Sequence, residues 1–311
     1  MTGLFTSVIV TAMPDPSPSA IPVHAANPSL SWSAVARLIR LKSQTGTLLL
    51  LLPTLWSLVL AARGLPSLRL VCTFVVGSFL MRSAGVVLND LADRSFDRHV
   101  ARTRDRPIAS GEVTPRQARM LAVLLIGLAG MLVLTLNPLT MLLSPIALLL
   151  ACLYPFAKRV VHVPQAVLGI AFGWGTVMAW TASRGTLEAP AWLVFLAAVC
   201  WAIGYDTIYA LQDREDDRRI GVKSSALFFG TWTWLAVGTS LAGMLSLVGT
   251  AGRLSGIGPM LYWVLAAVAV LCIRQVGELR RSVAPTRAFQ LFHQHVWFGS
   301  AILAGLIGGF L

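Results

Sequence analysis

Long apolar runs constrain this chain more than any other feature. Nine can be read, at roughly 46–63, 69–89, 118–136, 138–156, 164–182, 190–209, 229–250, 258–274 and 290–310. Each approaches the ~20 residues an α-helix needs to cross a bilayer. None alternates with period two, and all are too long for barrel strands. A helix satisfies its backbone hydrogen bonds within itself, as hydrocarbon demands. The expected fold class is therefore all-α, a polytopic membrane helix bundle with about nine transmembrane helices.

Composition supports lipid as the solvent. Charged residues make up 12% of the 311 positions, against about 25% in soluble domains, and mean hydropathy is +0.73. Residues 12–30 are rich in Pro, Ser and Ala, so 1–30 reads as a mobile tail and 31–311 as the transmembrane domain. The apolar stretch 4–13 is too short to span and has no basic segment before it, which argues against a cleaved signal peptide. Cys72, Cys152, Cys200 and Cys272 lie far apart in apolar segments and read as small buried residues. His162, His293 and His295 read as interfacial residues rather than metal ligands, and the ten Trp in part as an interfacial belt.

The net charge of +12 could suggest a nucleic-acid partner, but its distribution argues against one. With the N-terminus inside, 20 of the 25 Lys and Arg fall on inside segments. That asymmetry is the positive-inside rule and predicts a cytoplasmic N-terminus. The acids are more selective still. Ten of the thirteen Asp and Glu lie in two short segments, 90–112 and 206–217, both on the cytoplasmic side.

Those two segments share a pattern. The first reads Asn89-Asp90-Leu-Ala-Asp93-Arg94-Ser-Phe-Asp97-Arg98, the second Asp213-Arg214-Glu-Asp-Asp217-Arg218. Both contain Asp-Arg-x-x-Asp-Arg. On a helix, Asn89, Asp93 and Asp97 share a face with Asp90 at its edge, and Asp206, Asp213 and Asp217 predict a second stripe. Two facing stripes of hard oxygen ligands suit Mg²⁺, which takes few carboxylates and completes its shell with substrate phosphate oxygens. Arg102, Arg104, Arg106 and Lys223 are suited to clamp a diphosphate. An ion or solute transporter is the alternative of another class, since intramembrane acids also mark ion paths.

In these motifs the chain resembles the UbiA superfamily of membrane prenyltransferases. Asn89, Asp90, Asp93 and Asp97 are similar to its Asn-Asp-x-x-Asp-x-x-x-Asp, and Asp213 and Asp217 to its Asp-x-x-x-Asp. Met81-Arg82-Ser-Ala-Gly85, Arg102 to Pro107, Tyr154-Pro-Phe-Ala-Lys158-Arg159, Tyr205-Asp206-Thr-Ile-Tyr209-Ala and Ile220-Gly-Val-Lys223-Ser resemble the 4-hydroxybenzoate polyprenyltransferase branch. One stretch departs: the family's Asp-Lys-Pro is here Lys42-Ser43-Gln44, ahead of Gly46.

The resemblance implies nine helices around a central cavity that opens laterally to lipid. It implies an Mg²⁺-dependent transfer of a polyprenyl group from polyprenyl diphosphate to 4-hydroxybenzoate, ortho to the hydroxyl, in ubiquinone or plastoquinone biosynthesis, with another aromatic acceptor as the alternative. Asn89, Asp93, Asp213 and Asp217 are the expected metal ligands, with Asp90 and Asp97 in support. Arg102, Arg106 and Lys223 would neutralise the diphosphate, and Tyr154, Tyr205 and Tyr209 would stabilise an allylic cation through their ring faces. Lys158 and Asp206 belong to the substrate-binding set. Arg82, two helical turns below Asn89, is a candidate for the acceptor carboxylate, or else forms a salt bridge to Asp90 or Asp206. Arg40 and Arg159 are the other candidates. The expected setting is a bacterial inner membrane.

Overall fold

A computed structural model describes residues 30–98, 103–221 and 223–311, without the side chains of Lys158, Asp216 and Ile220. The tail expected over 1–30 lies, apart from its last residue, outside the described residues. The described residues form helices joined by short connections. They are α1 (Trp32–Leu38), α2 (Thr45–Ala62), α3 (Leu68–Asp97), α4 (Pro115–Val133), α5 (Pro138–Val160), α6 (Pro164–Arg184) and α7 (Ala189–Ala210). Then follow α8 (Arg214–Ile220), α9 (Ser225–Phe229), α10 (Thr233–Leu254), α11 (Met260–Leu279) and α12 (Pro285–Gly308).

Nine of these match the nine apolar runs. Eight are long and apolar enough to cross a membrane by length and composition. The ninth, α12, is 24 residues long. Its first half carries Arg287, Gln290, His293, Gln294 and His295, which dilute its apolarity.

Helix starts follow local chemistry. Proline opens the first turn of α4, α5, α6, α7 and α12, where its missing N–H costs nothing. Thr114 and Gln117 form a reciprocal capping box at α4, and Asn137 caps α5 through Thr140 N–H. Pro145 inside α5 cannot donate to the Met141 carbonyl. The Ser144 hydroxyl donates to that carbonyl instead, at 2.9 Å.

The bundle has a dense half and an open half. α2, α6, α7, α10, α11 and α12 share one apolar core around Trp56, Trp201, Leu241 and Met244. There α6 crosses α7 closely: a Cβ on Gly169 would come within 2.9 Å of the Val199 backbone. α3 packs on α4, whereas α4 and α5 barely pack on each other.

α3 runs past the apolar segment to Asp97, so the whole first motif is helical, as its shared face requires. Other sequence expectations are corrected by the structure. The second stripe is not one continuous face. α7 ends at Ala210, a turn follows, and Asp213 precedes the separate helix α8. Asp206 therefore sits on a different element from Asp217. His295 is not interfacial: it is fully buried, and its Nδ1 accepts a hydrogen bond from Trp201 Nε1 at 3.0 Å. Cys72 and Cys152 are exposed on the outside of the bundle rather than buried, whereas Cys272 is buried. The tryptophans divide between the core (Trp56, Trp180, Trp201) and the outer surface (Trp32, Trp232, Trp263, Trp297).

Candidate active site

A cavity of about 600 Å³ lies between α2, α3, α4, α5, α6, α7 and α12. Along α3 its wall runs from Asp90 to Thr73. These positions differ by 17 residues, or about 25 Å at 1.5 Å per residue. One end is polar, with Arg40, Asn89, Asp90 and Arg106; the other is apolar, with Phe74, Leu136 and Met178. Both α4 and α5 contribute to the wall.

The first motif divides its carboxylates between two environments. Asp90 is 1% exposed and held by two arginines. Arg40 donates to its Oδ1 and Oδ2 at 3.1 and 2.9 Å, and Arg106 donates to Oδ1 at 3.1 Å. Arg106 also reaches Asp97 Oδ2 at 2.9 Å. Arg40 and Arg106 thus lock α1's exit and the 103–110 loop onto α3. Thr103 donates to the Asp97 carbonyl and Arg98 to the Ala109 carbonyl, folding the same loop back. Such charge-assisted bonds are what make a buried carboxylate tolerable.

Asp93 is placed differently. Asn89 Nδ2 donates to its Oδ2 at 3.2 Å. Arg159 lies 3.9 Å from its Oδ1 while donating to the Ala92 carbonyl at 2.8 Å. Arg159 also lies over the Phe96 and Phe156 rings, which fixes the end of α5 against α3. Lys223 donates to the Val160 carbonyl at 2.7 Å, bringing the segment after α8 to the same end. Arg102 lies outside the described residues, as does the side chain of Lys158.

Asp213 and Asp217 are joined by the backbone bond from Asp217 N–H to the Asp213 carbonyl, at 2.8 Å. Among the described residues no three His, Cys, Asp or Glu side chains converge as a metal centre. The donor set nonetheless fits Mg²⁺. Asn89 and Asp93 on α3 and Asp213 and Asp217 around the start of α8 offer only hard oxygens, a set that substrate oxygens would complete.

Deeper in the cavity are Arg82, Tyr154, Tyr205, Asp206 and Tyr209. Arg82's electrostatic neighbours are Tyr154, Arg40, Tyr205 and Asp206. It pairs with no carboxylate among the described residues. The salt bridge to Asp90 considered from sequence is ruled out by Arg40 and Arg106, which occupy Asp90. Gln165 lies beside Asp206. Tyr205 and Tyr209 pack on Phe292, at 5.9 and 4.9 Å between ring centroids.

Sequence reasoning missed one cavity residue and one neighbour of Asp206. His293 lines the wall, its Nδ1 3.1 Å from the Thr45 hydroxyl. Gln165, on α6, is buried beside Asp206. His293 and His295 point to different surroundings because a spacing of two turns them about 200° apart on α12.

Comparisons with known proteins agree with this geometry. The model of the UbiA prenyltransferase family matches residues 50–298. A 4-hydroxybenzoate octaprenyltransferase from Pectobacterium atrosepticum is 46% identical over 279 residues, covering 89% of this chain and 96% of that protein. The apo structure of a UbiA homolog from Aeropyrum pernix superposes with a TM-score of 0.73 at 26% identity, covering 86% of this chain and all of the other. A UbiA homolog from Archaeoglobus fulgidus bound to GPP and Mg²⁺ shares the fold, with a TM-score of 0.58 at 17% identity over 87% of this chain and 99% of that one. The family match over residues 50–298, together with relatives 46% identical along nearly their whole length, places the chain in the UbiA prenyltransferase family.

Proposed function

We propose that the chain transfers a polyprenyl group from polyprenyl diphosphate to the ring of 4-hydroxybenzoate, ortho to the hydroxyl, and releases diphosphate. The reaction belongs to quinone biosynthesis, in a bacterial inner membrane with the acidic motifs facing the cytoplasm. The observation that carries this reading is a cavity with a polar end lined by Arg40, Asn89, Asp90 and Arg106, an apolar far end, and between them an Arg82 that pairs with no carboxylate among the described residues.

Asn89, Asp93, Asp213 and Asp217 would hold Mg²⁺, which when bound neutralises the diphosphate and eases its departure. Lys223, held on the Val160 carbonyl, adds positive charge beside the end of α5, and Arg102 keeps the diphosphate role that the motif assigns it. Arg40 and Arg106 act mainly by holding Asp90, Asp97 and the 103–110 loop in place. Arg159 keeps the end of α5 beside Asp93.

Arg82 takes the acceptor carboxylate and so sets which ring carbon faces the donor. The allylic C–O bond breaks with its electron pair leaving on diphosphate. The ring's π electrons form the new C–C bond, and loss of the ring proton restores aromaticity. Tyr154, Tyr205 and Tyr209 surround this point, and their ring faces favour a cation. The tail lies along the apolar wall toward Phe74 and Leu136, where each buried CH₂ contributes about 0.8 kcal/mol. The slight packing of α4 on α5 supports entry of that tail from the lipid side.

The test is direct. Membranes holding the protein are incubated with Mg²⁺, a polyprenyl diphosphate and 4-hydroxybenzoate, and products are read by mass spectrometry. A 3-polyprenylated acid is expected. Turnover of a different aromatic with none of 4-hydroxybenzoate would overturn the acceptor.

A further inference from the structure

We propose that Gly46 is a positioning residue for the acceptor: its bare Cα lets the Arg82 guanidinium lie flat against the first turn of α2. The inference rests on the assignment of Arg82 to the acceptor carboxylate made above. A Cβ at Gly46 would stand 2.7 Å from both Nε and Nη2 of Arg82 and 3.1 Å from Cζ. Those separations are too short for any side chain, so one of the two partners must move.

The surroundings decide which one moves. The first turn of α2 is tied down on both sides. The Thr45 hydroxyl meets His293 Nδ1 on α12 at 3.1 Å. Gln44 Nε2 donates to the Arg40 and Leu41 carbonyls, both at 3.0 Å, and its Oε1 accepts from the Thr47 hydroxyl at 2.6 Å. Arg40 is in turn clamped on Asp90. The guanidinium, by contrast, is the far end of a flexible chain, forms no ion pair among the described residues and borders open cavity. Arg82 is therefore the group that gives way, toward Tyr154, Tyr205 and Asp206. Nothing in the fold opposes Ala at Gly46, since it lies in a helix where Ala is the better former. The consequence falls on the acceptor and not on stability.

Gln44 stands at the N-cap of α2, and its side chain ties the residues just before the helix to Thr47 in the first turn, a rigid support for Gly46.

The test compares wild type, Gly46→Ala, Arg82→Gln, Arg82→Lys and the double variant Gly46→Ala with Arg82→Lys, each purified in detergent, with 4-hydroxybenzoate or uncharged 4-hydroxybenzamide as acceptor. Misplacing a charge-assisted contact predicts roughly a 10- to 100-fold rise in acceptor KM for Gly46→Ala. The KM for polyprenyl diphosphate and the melting temperature stay at wild-type values, and the preference for acid over amide shrinks. In the Arg82→Lys background, adding Gly46→Ala has no further effect, because the planar fork the Cβ would strike is gone. If Gly46→Ala leaves acceptor KM unchanged while Arg82→Gln raises it, the inference about Gly46 fails and the Arg82 assignment stands. If Arg82→Gln itself keeps the acid preference, the assignment of the carboxylate fails. An effect of Gly46→Ala that persists in the Arg82→Lys background also overturns the inference. Gly46→Ser carries the same Cβ and takes the place of the Ala variant should that one not accumulate.

Discussion

Two carboxylates of one motif, three residues apart, should fail in opposite ways. Asp90 accepts three charge-assisted hydrogen bonds, two from Arg40 and one from Arg106. In Asp90→Ala both guanidinia lose that partner at once. A fully buried pair broken on one side costs about 3–5 kcal/mol. Here the two arginine side chains are 29% and 22% exposed, and Arg106 keeps Asp97. Water offsets part of the loss, so a destabilisation of about 2–3 kcal/mol is expected. At about 2 °C per kcal/mol for a chain of this size, the melting temperature falls by about 4–6 °C. Asp93→Ala acts on the chemistry: the side chain, whose contacts include Asn89 at 3.2 Å and Arg159 at 3.9 Å, belongs to the proposed metal set, and product formation should drop below detection. Thermal unfolding of detergent-purified protein and product quantification by mass spectrometry separate the two. A wild-type melting temperature for Asp90→Ala, or retained product formation in Asp93→Ala, would refute the division of labour between the two acids.

Other variants probe the remaining parts of the fold and site. Asp213→Ala should abolish turnover while the protein stays folded; retained activity would remove Asp213 from the metal set. Trp201→Phe deletes the bond to His295 Nδ1 in a fully buried position and leaves space behind it, costing about 2–4 kcal/mol by thermal unfolding. A shift indistinguishable from wild type would show that the His295 contact adds nothing. Glu278→Gln breaks only an exposed pair with Arg287 and should leave the melting temperature at the wild-type value in moderate salt. Chelation of divalent cations should stop product formation without unfolding the protein, and Mg²⁺ should restore it.

Lipid makes the helices legible in sequence, because a spanning segment must be long, apolar and self-bonded. That is why all nine long helices coincide with apolar runs. Function is legible in the acids because charge at a membrane end is expensive and ten of thirteen fall in two places. The break between α7 and α8 is not legible: Leu211-Gln212-Asp213 holds no Gly or Pro to signal it. α8 and α9, at seven and five residues, are too short for any period to show. The pairing of Arg40 with Asp90 joins residues 50 positions apart and depends on how α1 lies across α3. His295 looks interfacial as a polar residue early in a span, but its Trp201 partner comes from another helix, so only tertiary packing reveals it. Cys72 and Cys152 mislead for the converse reason, since in a membrane protein the apolar exterior faces lipid and accepts small apolar side chains as readily as the core does.

The most direct measurement is an acceptor and donor screen on the purified protein in lipid, with products identified by mass spectrometry with and without Mg²⁺. The expected result is 3-polyprenyl-4-hydroxybenzoate formed only when Mg²⁺ is present, and absent with Asp93→Ala. Turnover that persists without any divalent cation, or product on other aromatics with none on 4-hydroxybenzoate, would contradict it.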